Sequence, residues 1–239
     1  LVDSIGKITG VVTDGDIRRW ILVQVVVDIS HPISAVAPEE FVSAKTDAFE
    51  EMYLPYGKDI AAKVVEYHKL HGGVSRYEKF KYFHKEFLNE AINQEKVDKL
   101  AIQFSNIVLD KVINSDEVLG ANYFIEKYHT KFQFWVITGT PTTEIELIAE
   151  KRKLTSFFIG LHGSPNNKRY WTENLIKKHN LKRDEIIFLG DATTDMDAAN
   201  FSKTHFALRE NEENKELFKD YKGIRFSDFY QLEKILNII

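Results

Sequence analysis

From residue 118 onward the chain alternates helical stretches with short apolar runs, and this alternation constrains the fold more than any other feature. Helical spacing over 118–130, 142–153, 168–180, 195–201, 213–220 and 228–238 interleaves with extended runs at 133–138, 156–160, 185–190, 204–208 and 223–226. Strands separated by helices of this length cannot pair as hairpins. They predict an α/β fold, a Rossmann-like doubly wound parallel sheet with helices on both faces. Thr140-Pro141 reads as a capped helix start, with Glu144 and Glu146 in the first two turns, and Ser227 as the cap of the last helix. Between Pro38 and residue 114 the pattern is helical throughout, at 39–54, 58–70, 75–91 and 95–114, broken by Pro55-Tyr56-Gly57 and His71-Gly72-Gly73. Residues 1–38 read as strands and turns: Lys7 to Thr13 is extended, Asp14-Gly15-Asp16 is a turn, and Ile21 to Val27 is a second, strongly apolar strand.

Composition narrows the function classes. A chain of 239 residues can bury a core without external staples. The longest apolar run, Ile21 to Val27, is interrupted by Gln24 and is far short of the roughly 20 residues a membrane helix needs, so no membrane partner is expected. The 32 basic and 36 acidic residues give a net charge of −4 with no basic stripe, which argues against a nucleic-acid partner. There is no cysteine, so a metal could be held only by oxygen or histidine donors. That composition, with no basic and apolar leader at Leu1-Val2-Asp3-Ser4, sets the expectation of a cytoplasmic protein.

Three segments carry chemistry. The apolar run Ile186-Ile187-Phe188-Leu189 ends in Gly190-Asp191-Ala192-Thr193-Thr194-Asp195, which delivers two carboxylates into a helix start at a strand end. Such a pair suits a hard divalent cation, although Asp in these positions also serves as a plain turn or capping residue. Phe134-Trp135-Val136-Ile137-Thr138-Gly139-Thr140 is another apolar strand ending in a hydroxyl, and Gly163-Ser164-Pro165-Asn166-Asn167-Lys168 is a turn ending in a lysine. A hydroxyl, an ammonium and a carboxylate pair would together surround a phosphate and its cation. In the stretch His71-Gly72-Gly73-Val74-Ser75-Arg76, Arg76 could fork onto a carboxylate or phosphate or simply be exposed at a helix-breaking turn, and Lys79 shares its helix.

Over roughly residues 42–239 these motifs, in this order, resemble the haloacid dehalogenase-like hydrolase superfamily, in its phosphatase branch with an inserted helical cap. The resemblance implies an irregular N-terminal segment and first core strand over 1–38, a helical cap over 39–115 and the Rossmann-like core over 116–239. It matches Thr138, with Gly139 beside it on the substrate, to the second motif and Lys168 to the third. Asp191 and Asp195 match the fourth, which holds Mg²⁺. It further implies phosphate-ester hydrolysis through an aspartyl-phosphate on a small phosphorylated metabolite, with Arg76 as a cap-borne substrate contact.

The first motif departs from the pattern. Family members start with a strand ending in Asp-x-Asp, the nucleophile followed by the general acid. Counting back without gaps from Ser43-Ala44-Lys45-Thr46-Asp47 places Ile33 and Ala35 there, and neither can do the chemistry. Asp28 ends the best strand but has Ser30 two residues on. Asp14 and Asp16 form a true Asp-x-Asp, some 29 residues before Lys45. The segment Gly10 to Arg19 also resembles the end of a cystathionine-β-synthase-type nucleotide-binding domain, too short here to fold as one. Three placements stay open: an active phosphatase with Asp28 as nucleophile, one with Asp14 before a long flap, or no nucleophile at all, which would leave an inactive binding or regulatory relative that keeps the phosphate pocket. Oligomeric state leaves no mark in the sequence.

Overall fold

The computed structural model describes residues 24–27, 43–71, 73–114, 117–212 and 214–236. Six strands form one parallel sheet: β1 (Gln24–Val27), β2 (Phe134–Pro141), β3 (Gly160–Ser164), β4 (Ile186–Gly190), β5 (His205–Arg209) and β6 (Ile224–Phe226). Their order is β3-β2-β1-β4-β5-β6. The chain steps outward from β1 through β2 to β3, then crosses to the other side and steps outward again. The reversal places β1 at the centre, with Val27 opposite Val136 of β2 and Leu189 of β4. In open parallel sheets the crevice beyond the carboxyl ends of strands flanking such a reversal is where ligands bind.

Burial follows the strand period. Along β2, Phe134 and Val136 face one side and Trp135 and Ile137 the other, and all are buried, as a strand covered on both faces requires. On one side Phe134, Ile187, Leu189 and Ala207 pack on α5 (Ala121–Tyr128) and α9 (Phe229–Ile235) through Phe124, Tyr128, Phe229 and Leu232. On the other, Trp135, Ile137, Phe188 and Leu208 meet α7 (Lys168–His179) and α8 (Thr193–Ser202) through Leu175, Ala198 and Ala199.

The helical half comprises α1 (Ser43–Tyr53), α2 (Lys58–Leu70), α3 (Arg76–Tyr82), a π-helical turn at Phe83–Phe87, and α4 (Gln94–Ile113). Its centre is aromatic. Phe49 packs against Phe104, His68, Phe83 and Phe80 with ring centroids 4.4 to 5.7 Å apart, mostly tilted or edge-on as ring quadrupoles favour. This cluster runs on into α6 (Thr142–Lys151) and Val136, so the helices pack directly on the sheet half.

Several local expectations change. The third strand is Gly160–Ser164, and Thr155–Phe157 forms a 3₁₀ turn instead. Residues 214–220 are turns rather than a helix. Pro141 closes β2 and precedes α6, so Thr140 does not cap that helix. At α9 the cap is Asp228, whose carboxylate accepts the Gln231 N–H at 2.8 Å, while Ser227 bonds the Gln231 side chain. The position decides it: Asp228 directly precedes the helix, where a side-chain oxygen reaches the third helical N–H, and Ser227 is one residue too early.

Candidate active site

Five of the sequence candidates stand at the carboxyl edge of the sheet. Thr138 and Gly139 lie in the last half of β2, Lys168 is the first residue of α7, Asp191 follows β4, and Asp195 is in the first turn of α8. The α7 start is fixed by Asn167, whose side chain accepts the Tyr170 N–H at 2.9 Å. Lys168 is thereby held inward and buried, with Nζ 2.6 Å from Asp195 Oδ1. The other Asp195 oxygen accepts the Ala192 N–H at 3.0 Å, the backward half of a capping box. Gly190 allows this closeness: a Cβ there would lie 2.3 Å from Asp195 Cβ.

Asp191 sits apart from that pair. Its carboxylate is partly exposed, 3.9 Å from an Arg209 guanidinium nitrogen. Its backbone carbonyl accepts a 2.9 Å bond from Asn214 Nδ2, which also donates to the Arg209 carbonyl. Asn214, which sequence reasoning missed, thus ties the loop after β4 to the end of β5. Thr138 is buried, and its hydroxyl oxygen accepts the Thr140 N–H at 3.1 Å.

A cleft of about 250 Å³ opens over this edge. Its walls include Thr138, Gly139 and Lys168 from the sheet half, Thr194 from α8, and Gly73 and Ser75 from the turn before α3. The turn presses close: Gly139, if it had a Cβ, would put it 3.2 Å from the Gly73 carbonyl oxygen. Two buried hydroxyls at this edge, Ser164 Oγ and Thr194 Oγ1, have no hydrogen-bond partner among the described residues. Buried polar atoms are nearly always bonded, so orphans beside a cleft fit a site that takes a polar ligand.

Arg76 is held differently from its expected role. Its guanidinium makes a bidentate pair with Glu144 at 2.7 and 2.8 Å and a 2.6 Å bond to Ser105. The fork that could have gripped a ligand is occupied by a carboxylate of α6, and Arg76 joins α3, α4 and α6. Nothing in the sequence links residues 76 and 144, so the pairing shows only in three dimensions. Asp28, the residue after β1 in sequence, lies outside the described residues, as do Asp14, Asp16, Ser30, Ile33 and Ala35. Residues 10–19, the segment similar to a nucleotide-binding domain, lie outside them too.

A parallel six-stranded sheet in this order, with a helical half joined after the first strand, is the fold of the haloacid dehalogenase-like hydrolases. No family model matches the sequence, and no curated protein does. Among solved structures, a β-phosphoglucomutase from Clostridium difficile aligns with a TM-score of 0.67 at 18% identity, covering 91% of this chain and 98% of that one. A predicted phosphoglycolate phosphatase from Haemophilus somnus aligns at TM-score 0.64 and 15% identity over 91% and 98%. A haloacid dehalogenase-like hydrolase from Streptococcus pneumoniae aligns at 0.62 and 14% over 92% and 99%. At these identities the likeness is one of fold.

Proposed function

We propose that the protein is a phosphoric monoester hydrolase acting on a small phosphorylated metabolite, with residues 39–115 as the cap over the phosphate site. The observation that carries the reading is the buried Lys168–Asp195 pair beside Thr138 at the cleft. Burying an ammonium and a carboxylate costs several kcal/mol of desolvation per ion, so a fold that needed only stability would do as well with apolar residues. A transferring phosphoryl group, whose charge grows at its oxygens, gives the pair a task.

In this reading the Thr138 hydroxyl and the Lys168 ammonium bind the phosphate oxygens. Asp28 attacks phosphorus in line, the bond from phosphorus to the ester oxygen breaks, that oxygen takes its proton from solvent water, and a phospho-aspartate forms. Water then attacks the phosphorus of that intermediate, the bond to the Asp28 oxygen breaks, and inorganic phosphate leaves with the carboxylate restored. Support for Asp28 over Asp14 comes from β1: it is the central strand, and Asp28 follows its last described residue directly. Ser30 is a poor general acid, so leaving-group departure is slow for basic leaving groups, since positioned acids typically contribute about 10²–10⁴-fold.

The donors fit Mg²⁺ in part. Among the described residues no three acidic or histidine side chains gather to hold a metal. Asp191 would be the principal ligand, and Asp195, engaged by Lys168, would contribute a remaining lone pair or a bridging water. A third oxygen would come from Asp28. When bound, the cation would neutralise charge on the phosphate oxygens.

The experiment is turnover of an aryl phosphate with Mg²⁺ by wild type, Asp28→Asn and Asp14→Asn. Low activity abolished in Asp28→Asn and kept in Asp14→Asn is expected. Loss only in Asp14→Asn would overturn the nucleophile assignment. No turnover of any phosphate ester by wild type would favour the alternative, a binding protein with an inactive site.

A further inference from the structure

We infer that Arg169 and Asp197 are positioning residues: their ion pair clamps the site end of α7 to α8 and so holds the Lys168 ammonium in place at the cleft. The inference rests on the phosphatase reading and adds what keeps that site in order. Arg169 directly follows Lys168 in α7, and Asp197 lies two residues beyond Asp195 in α8. Two ion pairs therefore cross the same helix seam, the buried Lys168–Asp195 pair and, at the cleft rim, Arg169 with Asp197. Lys168, Arg169 and Asp197 all stand in the cleft wall.

The rim pair has the geometry of a clamp. Arg169 Nε and Nη2 donate to the two oxygens of Asp197, a side-on fork. The face of the same guanidinium lies over the Phe201 ring, 5.1 Å from its centroid. Asp197 and Phe201 are one turn apart in α8, so a single helix face fixes both the edge and the face of the group. Both partners of the pair are about half exposed, at 47% and 46%. Exposed pairs contribute little to stability, so the use of this one lies in the register it imposes on the two helix starts. Register matters there because a displacement near 1 Å at a reacting group can cost about 10²-fold in rate. Nor is Arg169 poised to grip a ligand, since its forking edge and both Asp197 oxygens are spent on each other. A second guanidinium gives an internal contrast. Arg183 forks onto Glu173 of α7 at 2.6 and 2.8 Å and donates to the Ser202 carbonyl of α8 at 2.6 Å. It ties the same two helices, but none of these three residues is in the cleft wall.

The test compares wild type with Arg169→Gln, Asp197→Asn, the double variant and Arg183→Gln, with folding checked by urea unfolding. Two quantities are read: kcat and KM for an aryl phosphate with Mg²⁺, and the rate at which trinitrobenzenesulfonate labels Lys168, located by peptide mass spectrometry. Each single change at the rim is expected to lower kcat about ten-fold with KM within about three-fold, and to speed Lys168 labelling by about three-fold or more. The double variant should be no worse than either single one, because both remove the same interaction. Arg183→Gln should lower the unfolding midpoint at least as much, yet leave kcat and Lys168 labelling within about two-fold. An effect of Arg169→Gln that Asp197→Asn does not reproduce would make Arg169 a direct substrate contact and overturn the inference. Unchanged Lys168 labelling in the rim variants, or an equal loss of kcat in Arg183→Gln, would overturn it too. Those outcomes leave the phosphatase reading standing, whereas no turnover by wild type would overturn both.

Discussion

Gly73→Ala is a sharp probe of the apposition between the helical half and the sheet half. A Cβ at Gly73 would lie 1.8 Å from Thr194 Oγ1, 3.0 Å from Thr194 Cβ and 3.1 Å from Ala192 Cβ. Rotating the Thr194 hydroxyl away removes the first contact only, because the other two involve atoms that no rotamer moves. Gly73 is not among the glycines with positive φ, so alanine meets no backbone strain. An unhindered Gly→Ala change stabilises by about 0.4–1 kcal/mol through the unfolded chain. Overpacking costs about 1–3 kcal/mol and opposes it. The expected net is a destabilisation of up to about 2.5 kcal/mol, read by urea unfolding, with a raised KM as the turn retreats from the cleft. Thr194→Ala by itself removes an orphaned hydroxyl and should be nearly neutral. In combination it should restore only the share of the loss that the hydroxyl imposes, since alanine at position 194 keeps the Cβ that lies 3.0 Å away, a non-additivity of the kind neighbouring residues show. A Gly73→Ala protein more stable than wild type by the unhindered amount, with no effect of Thr194→Ala on it, would refute the apposition.

Asp195→Asn leaves Lys168 buried opposite an amide and should destabilise by about 3–5 kcal/mol in chemical denaturation, the range for breaking one side of a buried pair. Mg²⁺ should bind weakly by calorimetry, for want of a cluster of three acidic or histidine donors among the described residues, and Asp191→Asn should weaken it at least ten-fold; unchanged affinity would exclude Asp191 as a ligand. Burial lowers the pKa of both His84 and His162. With folded values below the unfolded value near 6.5, the unfolded chain binds more protons once pH falls below that value. Their stabilisation is therefore complete above about pH 6.5 and lost as pH drops, so the Tm should fall between pH 7.5 and 5.5, less steeply in a His162→Gln variant.

Much of this architecture is legible in the sequence because apolar runs and helical spacing are local. β2 and β4 show it best, with residues 134–138 and 186–190 buried throughout. β3 was harder. The apolar run Phe157-Phe158-Ile159 suggests a strand, yet the pairing starts at Gly160 opposite Trp135, in an edge strand containing two glycines and a histidine. The register is set by β2, a partner that local pattern does not name. The expected helix at 213–220 failed for a related reason: Asn211 and Asn214 exchange side-chain-to-backbone bonds of 2.9 and 2.8 Å that offer the backbone a turn instead. At the site, Thr138, Lys168, Asp191 and Asp195 stand out in the sequence because each lies near a strand end or a helix start. Arg76–Glu144 and Lys79–His68 do not, since each pair depends on how separate helices pack.

The central claim is a covalent phospho-aspartate on Asp28. The most direct measurement is to incubate the protein with acetyl phosphate and Mg²⁺, reduce with borohydride, and locate the resulting homoserine by peptide mass spectrometry. Conversion at position 28, absent from Asp28→Asn, is the predicted result. Homoserine at position 14, 191 or 195, or turnover of phosphate esters with no modified aspartate at all, would contradict it.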